Sequence, residues 1–290
     1  MEQPCPVCGG CLVHLRREWL FRCGACGLLA SNLIPDIPSE IRATPIDEER
    51  RILALAEIRG RNSKVILDRI GTLLEPCSSD LLDVGSGLGF FLRDAMAFGF
   101  NVSGLEPDAT VVEIARSTGA RTRHGYFPDC LNPDEIFDVI VFNDVLEHIP
   151  ALTETMDACV RHLKPAGLLV LSCPNQRGFF YRLADLLDRL GISAPLGRMW
   201  QRGLASPHVW YFEAEHLERL GHRHGLAHVS TIELSPLTWR GLADRIFYVR
   251  DQSKLMGVLT LMAVAPIIPI LKLLPRDIAI AILQKKAAFQ

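Results

Sequence analysis

Three groups of residues in this 290-residue chain have the types and spacing to do chemistry. The first is an acid followed by alternating glycines, Asp83-Val84-Gly85-Ser86-Gly87-Leu88-Gly89, entered from the apolar Leu81-Leu82 and left through Phe90-Phe91. An apolar run meeting glycines at this spacing predicts a buried strand that turns sharply into a helix starting near Phe91. Glycine reaches positive φ and, lacking a Cβ, lets a ligand approach the backbone. The helix start adds unpaired N–H groups and the positive end of the dipole, so a nucleotide-like molecule suits the turn. Some twenty residues on, Glu106 ends a second predicted strand, Asn101 to Glu106, where a carboxylate can accept hydrogen bonds from both hydroxyls of a ribose.

The second group is two C-x-x-C knuckles, Cys5-Pro6-Val7-Cys8-Gly9 and Cys23-Gly24-Ala25-Cys26-Gly27. Cys5, Cys8, Cys23 and Cys26 supply four thiolates at the spacing of a tetrahedral zinc ribbon. Four cysteines leave no open coordination position, so the zinc is read as structural, folding a piece too small to hold together by apolar burial. A redox pair would sit at the start of a helix in a thioredoxin-like unit, and two matched pairs argue against it. Cys11 and His14 are read as bystanders. The third group is two histidines, His148 and His208, of a type able to accept or donate a proton near neutral pH, which the family resemblance below singles out.

These residues need elements to hold them. Ser31 to Pro45 reads as a proline-marked linker, and Asp47 to Leu74 as one or two amphipathic helices interrupted at Gly60. A helix over Phe91 to Phe98 closes at Gly99. Pro107-Asp108 opens another through Ala115, and a third strand with its exit loop covers Arg121 to Phe127, bringing Tyr126 and Phe127 near where an adenine would lie. Within Ile136 to Ile149, a six-residue buried strand ends at Asn143, in the row of strand C-termini where open α/β sheets bind ligands. Leu168 to Asn175 is the fifth strand. Alternating strands and helices predict a doubly wound, mostly parallel sheet.

The block Asp83 to Gly89, an acid followed by G-x-G-x-G, resembles the first motif of class I S-adenosylmethionine (SAM)-dependent methyltransferases. In the dinucleotide fingerprint the third glycine falls one residue later, where this chain has Phe90. The run Ile136 to Ile149, with Leu146-Glu147-His148 after the strand, resembles the fourth-strand motif of small-molecule methyltransferases, including those of ubiquinone biosynthesis. Leu163-Lys164-Pro165-Ala166-Gly167 before the fifth strand matches the same family, and Pro207 to Leu234 resembles its late region. The cysteine module is similar to an N-terminal extension of some bacterial small-molecule methyltransferases.

The resemblance implies a Rossmann-like, seven-stranded α/β sheet that binds SAM through Asp83, Gly85, Ser86, Gly87, Gly89, Glu106, Pro107 and Tyr126, with Asn143 and Asp144 on its amino-acid moiety. It implies Glu147 and His148 as residues that orient the acceptor or take its proton, with His208 as the second acid/base candidate. Methyl transfer mainly asks a protein to align nucleophile, methyl and sulfur and to exclude water, with a base only for a protonated acceptor.

The domain reading is a zinc-ribbon-like module over 1–34, linker and helices over 35–75, a methyltransferase domain over 76–250 and a hydrophobic helical tail over 251–290. Within the catalytic domain, 176–206 is an acceptor lid carrying Arg177, Arg182, Arg198 and Arg202. The seventh strand has no clear place, with Arg245 to Val249 as its candidate. A net charge of −2 with 22% charged residues gives no general attraction to nucleic acid. The N-terminus lacks an apolar signal-peptide core, which predicts a cytoplasmic protein. Leu255 to Leu274 is apolar but broken by Pro266 and Pro269, so it is expected to lie on the inner membrane face, pack on the core, or form a homodimer contact. The expected function is methyl transfer from SAM to a small-molecule or lipid-linked acceptor, at oxygen before carbon or nitrogen. The rival readings are an NAD-dependent sugar-modifying oxidoreductase and a non-catalytic SAM-binding scaffold.

Overall fold

The computed structural model describes residues 4–37, 48–117, 119–235 and 273–287, with isolated positions between 257 and 266. Its first elements form a small antiparallel sheet: β1 (Leu12–His14), β2 (Leu20–Cys23) and β3 (Leu29–Ser31). Helix α1 (Glu48–Gly71) then leads to the main sheet. It runs unbroken through Gly60, because the buried Ile58, Ile66, Leu67 and Ile70 keep one face on the core across that position.

The order that follows is β4 (Asp80–Val84), α2 (Phe90–Phe98), β5 (Asn101–Glu106), α3 (Ala109–Ser117), β6 (Thr122–His124), β7 (Phe137–Asn143), α4 (Leu152–His162) and β8 (Leu163–Pro174). After β8 come α5 (Phe179–Arg189), α6 (Ala194–Met199), β9 (Trp210–Tyr211), α7 (Ala214–Arg223), β10 (Leu226–Leu234) and β11 (Ile278–Lys285). Seven strands form one sheet in the order β6-β5-β4-β7-β8-β11-β10. The pairs from β6 to β8 are parallel, whereas β11 is antiparallel to both β8 and β10. Leu81, Leu82, Val139 to Phe142 and Leu168 to Leu171 are buried, as expected for parallel strands covered on both faces. The C-terminal ends of β4, β5 and β7 open on one side, which is where the predicted site residues gather.

The tail reading needs correction. Residues 278–285 are the seventh strand, not part of a helical tail, and the sheet therefore extends past the boundary set at 250 to Lys285. The run Ile278-Ala279-Ile280-Ala281-Ile282-Leu283 is apolar throughout because it lies between two strands and under helices. Such a run has no periodicity that separates strand from helix, and its alternating β-branched isoleucines are the strand signal. The candidate seventh strand at Arg245 to Val249 lies outside the described residues, as does most of the 255–274 segment. No helix among the described residues is long and apolar enough to cross a membrane.

The cysteine module does not stand apart. Strand β9, from the far side of the catalytic domain, pairs antiparallel with β3 and completes a four-stranded sheet, β1-β2-β3-β9. Leu20 and Leu29 pack with Tyr181, Leu196, Trp200 and Tyr211 in a shared core.

Candidate active site

The glycine turn between β4 and α2 is built as its sequence requires. Gly85, Gly87 and Gly89 have φ of 69°, 53° and 75°. A Cβ on Gly85 would come within 2.4 Å of Val145 Cγ2, and one on Gly89 within 2.5 Å of Ala120 Cβ, so both glycines are also required by packing. A Cβ on Gly87 would meet nothing within 4 Å, because that position faces open space. Glu106, 8% exposed, accepts hydrogen bonds from the N–H of Gly87 through Oε2 and of Asp108 through Oε1, both at 2.9 Å. A carboxylate offers about four lone-pair positions, so two remain for the hydroxyls of a ribose.

Two cavities meet at this turn. A polar recess of about 30 Å³ is lined by Asp83, Gly85, Ser86, Asn143 and Asp144 together with Arg59 and Ser63 of α1. Burial, reinforced by the negative charge of Glu106, pushes the Asp83 carboxyl up to about 8, and the positive charge of Arg59 opposes this. A much larger cavity, about 1360 Å³, runs from Gly87, Glu106, Pro107 and Tyr126 past Asp144 to Glu147, His148 and His208. Ligand pockets for one drug-sized molecule span about 300–1,000 Å³, so this one has room for a nucleotide cofactor and a second molecule side by side. Beyond the histidines its walls are Leu183 and Leu187 of α5, with Met199 and Leu204.

The structure thus divides the predicted cofactor residues. Gly87, Glu106, Pro107 and Tyr126 line the large cavity, Asp83, Ser86 and Asn143 the small recess, and Gly85 and Asp144 both. Gly89 lines neither and serves as the left-handed N-cap of α2. Ser86 turns its hydroxyl towards Thr122, 3.4 Å away. Of the lid arginines only Arg198 lines the cavity, whereas Arg177 pairs with Glu213 at 2.6 Å.

Arg59 and Ser63 were missed. Ser63 is 2% exposed, and both residues lie on the helical spacing that carries the buried Ile66 and Ile70. Polar residues at core-facing positions of an amphipathic helix were the available signal.

A short 3-10 turn, Leu146–His148, carries Glu147 and the acid/base candidate His148. Nδ1 of His148 donates to the Pro207 carbonyl at 3.0 Å, which leaves Nε2 bare, 3.9 Å from Oε1 of Glu147. Burial lowers the pKa of His148 below its ordinary value, so the ring is neutral at pH 7. Glu147 is 1% exposed, and neither carboxyl oxygen has a hydrogen-bond partner among the described residues. Burial and the charge of Asp144 raise its pKa well above the carboxylate range. His208 is placed differently: its Nε2 accepts from the Gln201 side-chain amide at 3.0 Å, and burial with the charge of His148 pushes its pKa down to about 3. It packs against His148 and has too little proton affinity to act as a base near neutrality.

The four cysteines also converge. Their sulfurs lie within 4.8 Å of one another, with Cys5 to Cys26 at 3.6 Å and Cys8 to Cys23 at 3.4 Å. A tetrahedron with bonds of about 2.3 Å has edges of about 3.8 Å, so this all-thiolate set fits zinc.

A glycine-turn nucleotide site, opening into an acceptor cavity on a β6-β5-β4-β7-β8-β11-β10 sheet, defines a cofactor-dependent group-transfer domain. The methyltransferase-domain family model matches residues 50–231, and the chain belongs to that family, with the class I SAM-dependent fold. It is 27% identical to the ubiquinone biosynthesis O-methyltransferase of Rhodopseudomonas palustris (strain HaA2) over 171 residues, 57% of this chain and 64% of that protein. It is 32% identical to the protein of the same name from Paramagnetospirillum magneticum over 109 residues, 36% of this chain and 44% of the other. The matched part thus spans less than two thirds of these relatives. Among solved structures, a SAM-dependent methyltransferase from Archaeoglobus fulgidus aligns with a TM-score of 0.51 at 17% identity, covering 78% of this chain and 94% of the other. Phosphoethanolamine N-methyltransferase 2 of Haemonchus contortus aligns with a TM-score of 0.53 at 16% identity, covering 78% and 53%. These structural likenesses speak to the fold.

Proposed function

We propose that this protein methylates a hydroxyl oxygen of a small-molecule or lipid-linked acceptor with SAM, and that Cys5, Cys8, Cys23 and Cys26 hold a structural zinc. The observation that carries the first reading is the single cavity joining Glu106 and Gly87 to the bare Nε2 of His148. Bound SAM supplies an electrophilic methyl group. The chain's own residues hold the ribose at Glu106 and the amino-acid end near Asp83, Asn143 and Asp144.

At the acceptor, His148 Nε2 takes the hydroxyl proton, and the Pro207 carbonyl on Nδ1 orients the ring and stabilises its cationic form. Glu147, whose carboxyl burial keeps protonated, lies 3.9 Å from Nε2 and helps to orient the acceptor. The apolar walls at Leu183, Leu187, Met199 and Leu204 exclude water and suit an acceptor with an apolar body. The names of the ubiquinone biosynthesis relatives agree with an oxygen acceptor of this kind.

The test is calorimetric titration with SAM and, separately, NAD. Radiolabelled methyl transfer to hydroxyl, amine and carbon acceptors, with and without apolar tails, follows. SAM binding with methyl recovered on oxygen is expected. NAD binding without SAM binding would overturn the reading, and SAM binding without transfer would leave a binding scaffold.

A further inference from the structure

The proposed zinc site and the acceptor half of the cavity share one wall. Strand β3 follows the second knuckle and pairs with β9, Leu29 opposite Tyr211 and Ala30 opposite Trp210. Ser31, 1% exposed, donates its N–H to the Val209 carbonyl at 2.8 Å and its hydroxyl to the His208 carbonyl at 2.7 Å.

The segment held in this way also holds the turn that carries Glu147 and His148. The Pro207 carbonyl receives His148 Nδ1, the Val209 N–H donates to the Glu147 carbonyl at 2.7 Å, and Trp210 Nε1 donates to the Ile149 carbonyl at 2.9 Å. On the other side, Arg16 and Arg17 reach from the ribbon to Asp188 of α5, which is 4% exposed, and Arg16 also pairs with Asp185. Helix α5 is the one that sets Leu183 and Leu187 into the cavity. The knuckle itself is braced from the catalytic domain. The Glu213 N–H donates to Nδ1 of His216, leaving Nε2 to donate to the Cys26 carbonyl at 2.9 Å.

None of these ties is made to Asp83, the glycine turn or Glu106, which stand on β4, α2 and β5, whereas β9 belongs to the other sheet. The module brings only short strands to the core it shares with the catalytic domain, so a metal at the knuckles would hold their shape.

We infer that the ribbon is the positioning scaffold of the acceptor site: metal at the four cysteines holds Pro207 to Tyr211 and α5 in place, and with them His148, while SAM binding is independent of it. The inference rests on the zinc reading. Removing the metal should loosen the acceptor half and leave the cofactor half intact, which makes Ser31, Arg16 and Arg17 positioning residues for a site they do not touch.

The experiment uses the full chain. Metal content is measured first, then hydrogen exchange and SAM titration are compared before and after chelation under reducing conditions. The expected result is about one zinc per chain. Its removal should raise amide exchange about tenfold or more over Trp200 to Phe212 and Phe179 to Arg189, with Leu81 to Glu106 protected and SAM affinity within about twofold. A chain that never holds metal sinks the zinc reading and the inference with it. A loaded chain whose exchange over Trp200 to Phe212 does not respond to chelation sinks the inference alone, as does loss of SAM binding together with the metal. Ser31→Ala, which leaves the cysteines untouched, should keep the zinc and still raise exchange over Pro207 to Trp210. Unchanged exchange there would also overturn the inference.

Discussion

The rings of His148 and His208 meet edge to face with centroids 4.7 Å apart, but the basic lone pair of His148, on Nε2, is open, whereas that of His208 is taken by Gln201 and its unpartnered Nδ1 carries the ring proton. Gln201 occupies Nε2 of His208, while the Pro207 carbonyl occupies only Nδ1 of His148. Two histidines that look equivalent in the sequence are separated by their hydrogen bonds into one with an open basic nitrogen and one without.

His148→Ala is expected to lower kcat about a hundred- to ten-thousand-fold, the usual range for a positioned base, with SAM affinity unchanged. The pH profile gives a second readout. Burial lowers the pKa of His148 below 6.5, so the acidic limb of kcat/KM in the parent protein should have its midpoint below 6.5 and should vanish in the variant.

Glu106→Ala should weaken SAM binding about 10- to 100-fold, matching the ~1.5–3 kcal/mol of a hydrogen bond to a charged group. Calorimetric titration reads it directly. An unchanged affinity would show that the carboxylate serves only the N–H groups of Gly87 and Asp108.

The glycines of the turn should separate by readout. Gly85→Ala places a Cβ 2.4 Å from Val145 at a φ of 69°, and strain and overpacking together are expected to cost about 2–4 kcal/mol, seen as a lower Tm. Gly87→Ala meets no atom within 4 Å and should cost only the ~1–2 kcal/mol of left-handed backbone. Its Cβ points into the cofactor cavity, so loss of SAM affinity should be its main effect.

His208 should make stability depend on acid. Its folded pKa is about 3, against 6.5 for the free side chain. Between those values the unfolded chain binds more protons than the native one, so this contribution falls as pH drops from about 6.5 towards 3, by an amount on the order of a few kcal/mol. His208→Gln should show a shallower loss of Tm over that window than the parent protein, whereas equal slopes would refute the assignment.

The parts of the fold legible in the sequence are those whose signal is local. Positive φ at the glycine turn, an acid at the end of β5, the apolar runs of β7 and β8 and the two cysteine knuckles each carry their reason within a few residues. Strand β11 carried only the weak signal of its alternating isoleucines, because an apolar run buried between two strands has no periodicity that separates strand from helix. Arg59 and Ser63 were hidden in a helix whose apolar spacing could be read but whose polar exceptions have meaning only beside Asp83.

From its sequence alone this chain determines a glycine turn, an acid at the end of the next strand and four cysteines in two matched knuckles, since each follows from backbone geometry or side-chain chemistry at fixed short spacing. Only the tertiary structure decides which histidine has an open basic nitrogen, that the Glu147 carboxyl is buried, and that the ribbon ends in the same sheet as β9. Those facts depend on burial and on hydrogen bonds between segments far apart in the chain, and such contacts leave no pattern in either segment taken singly.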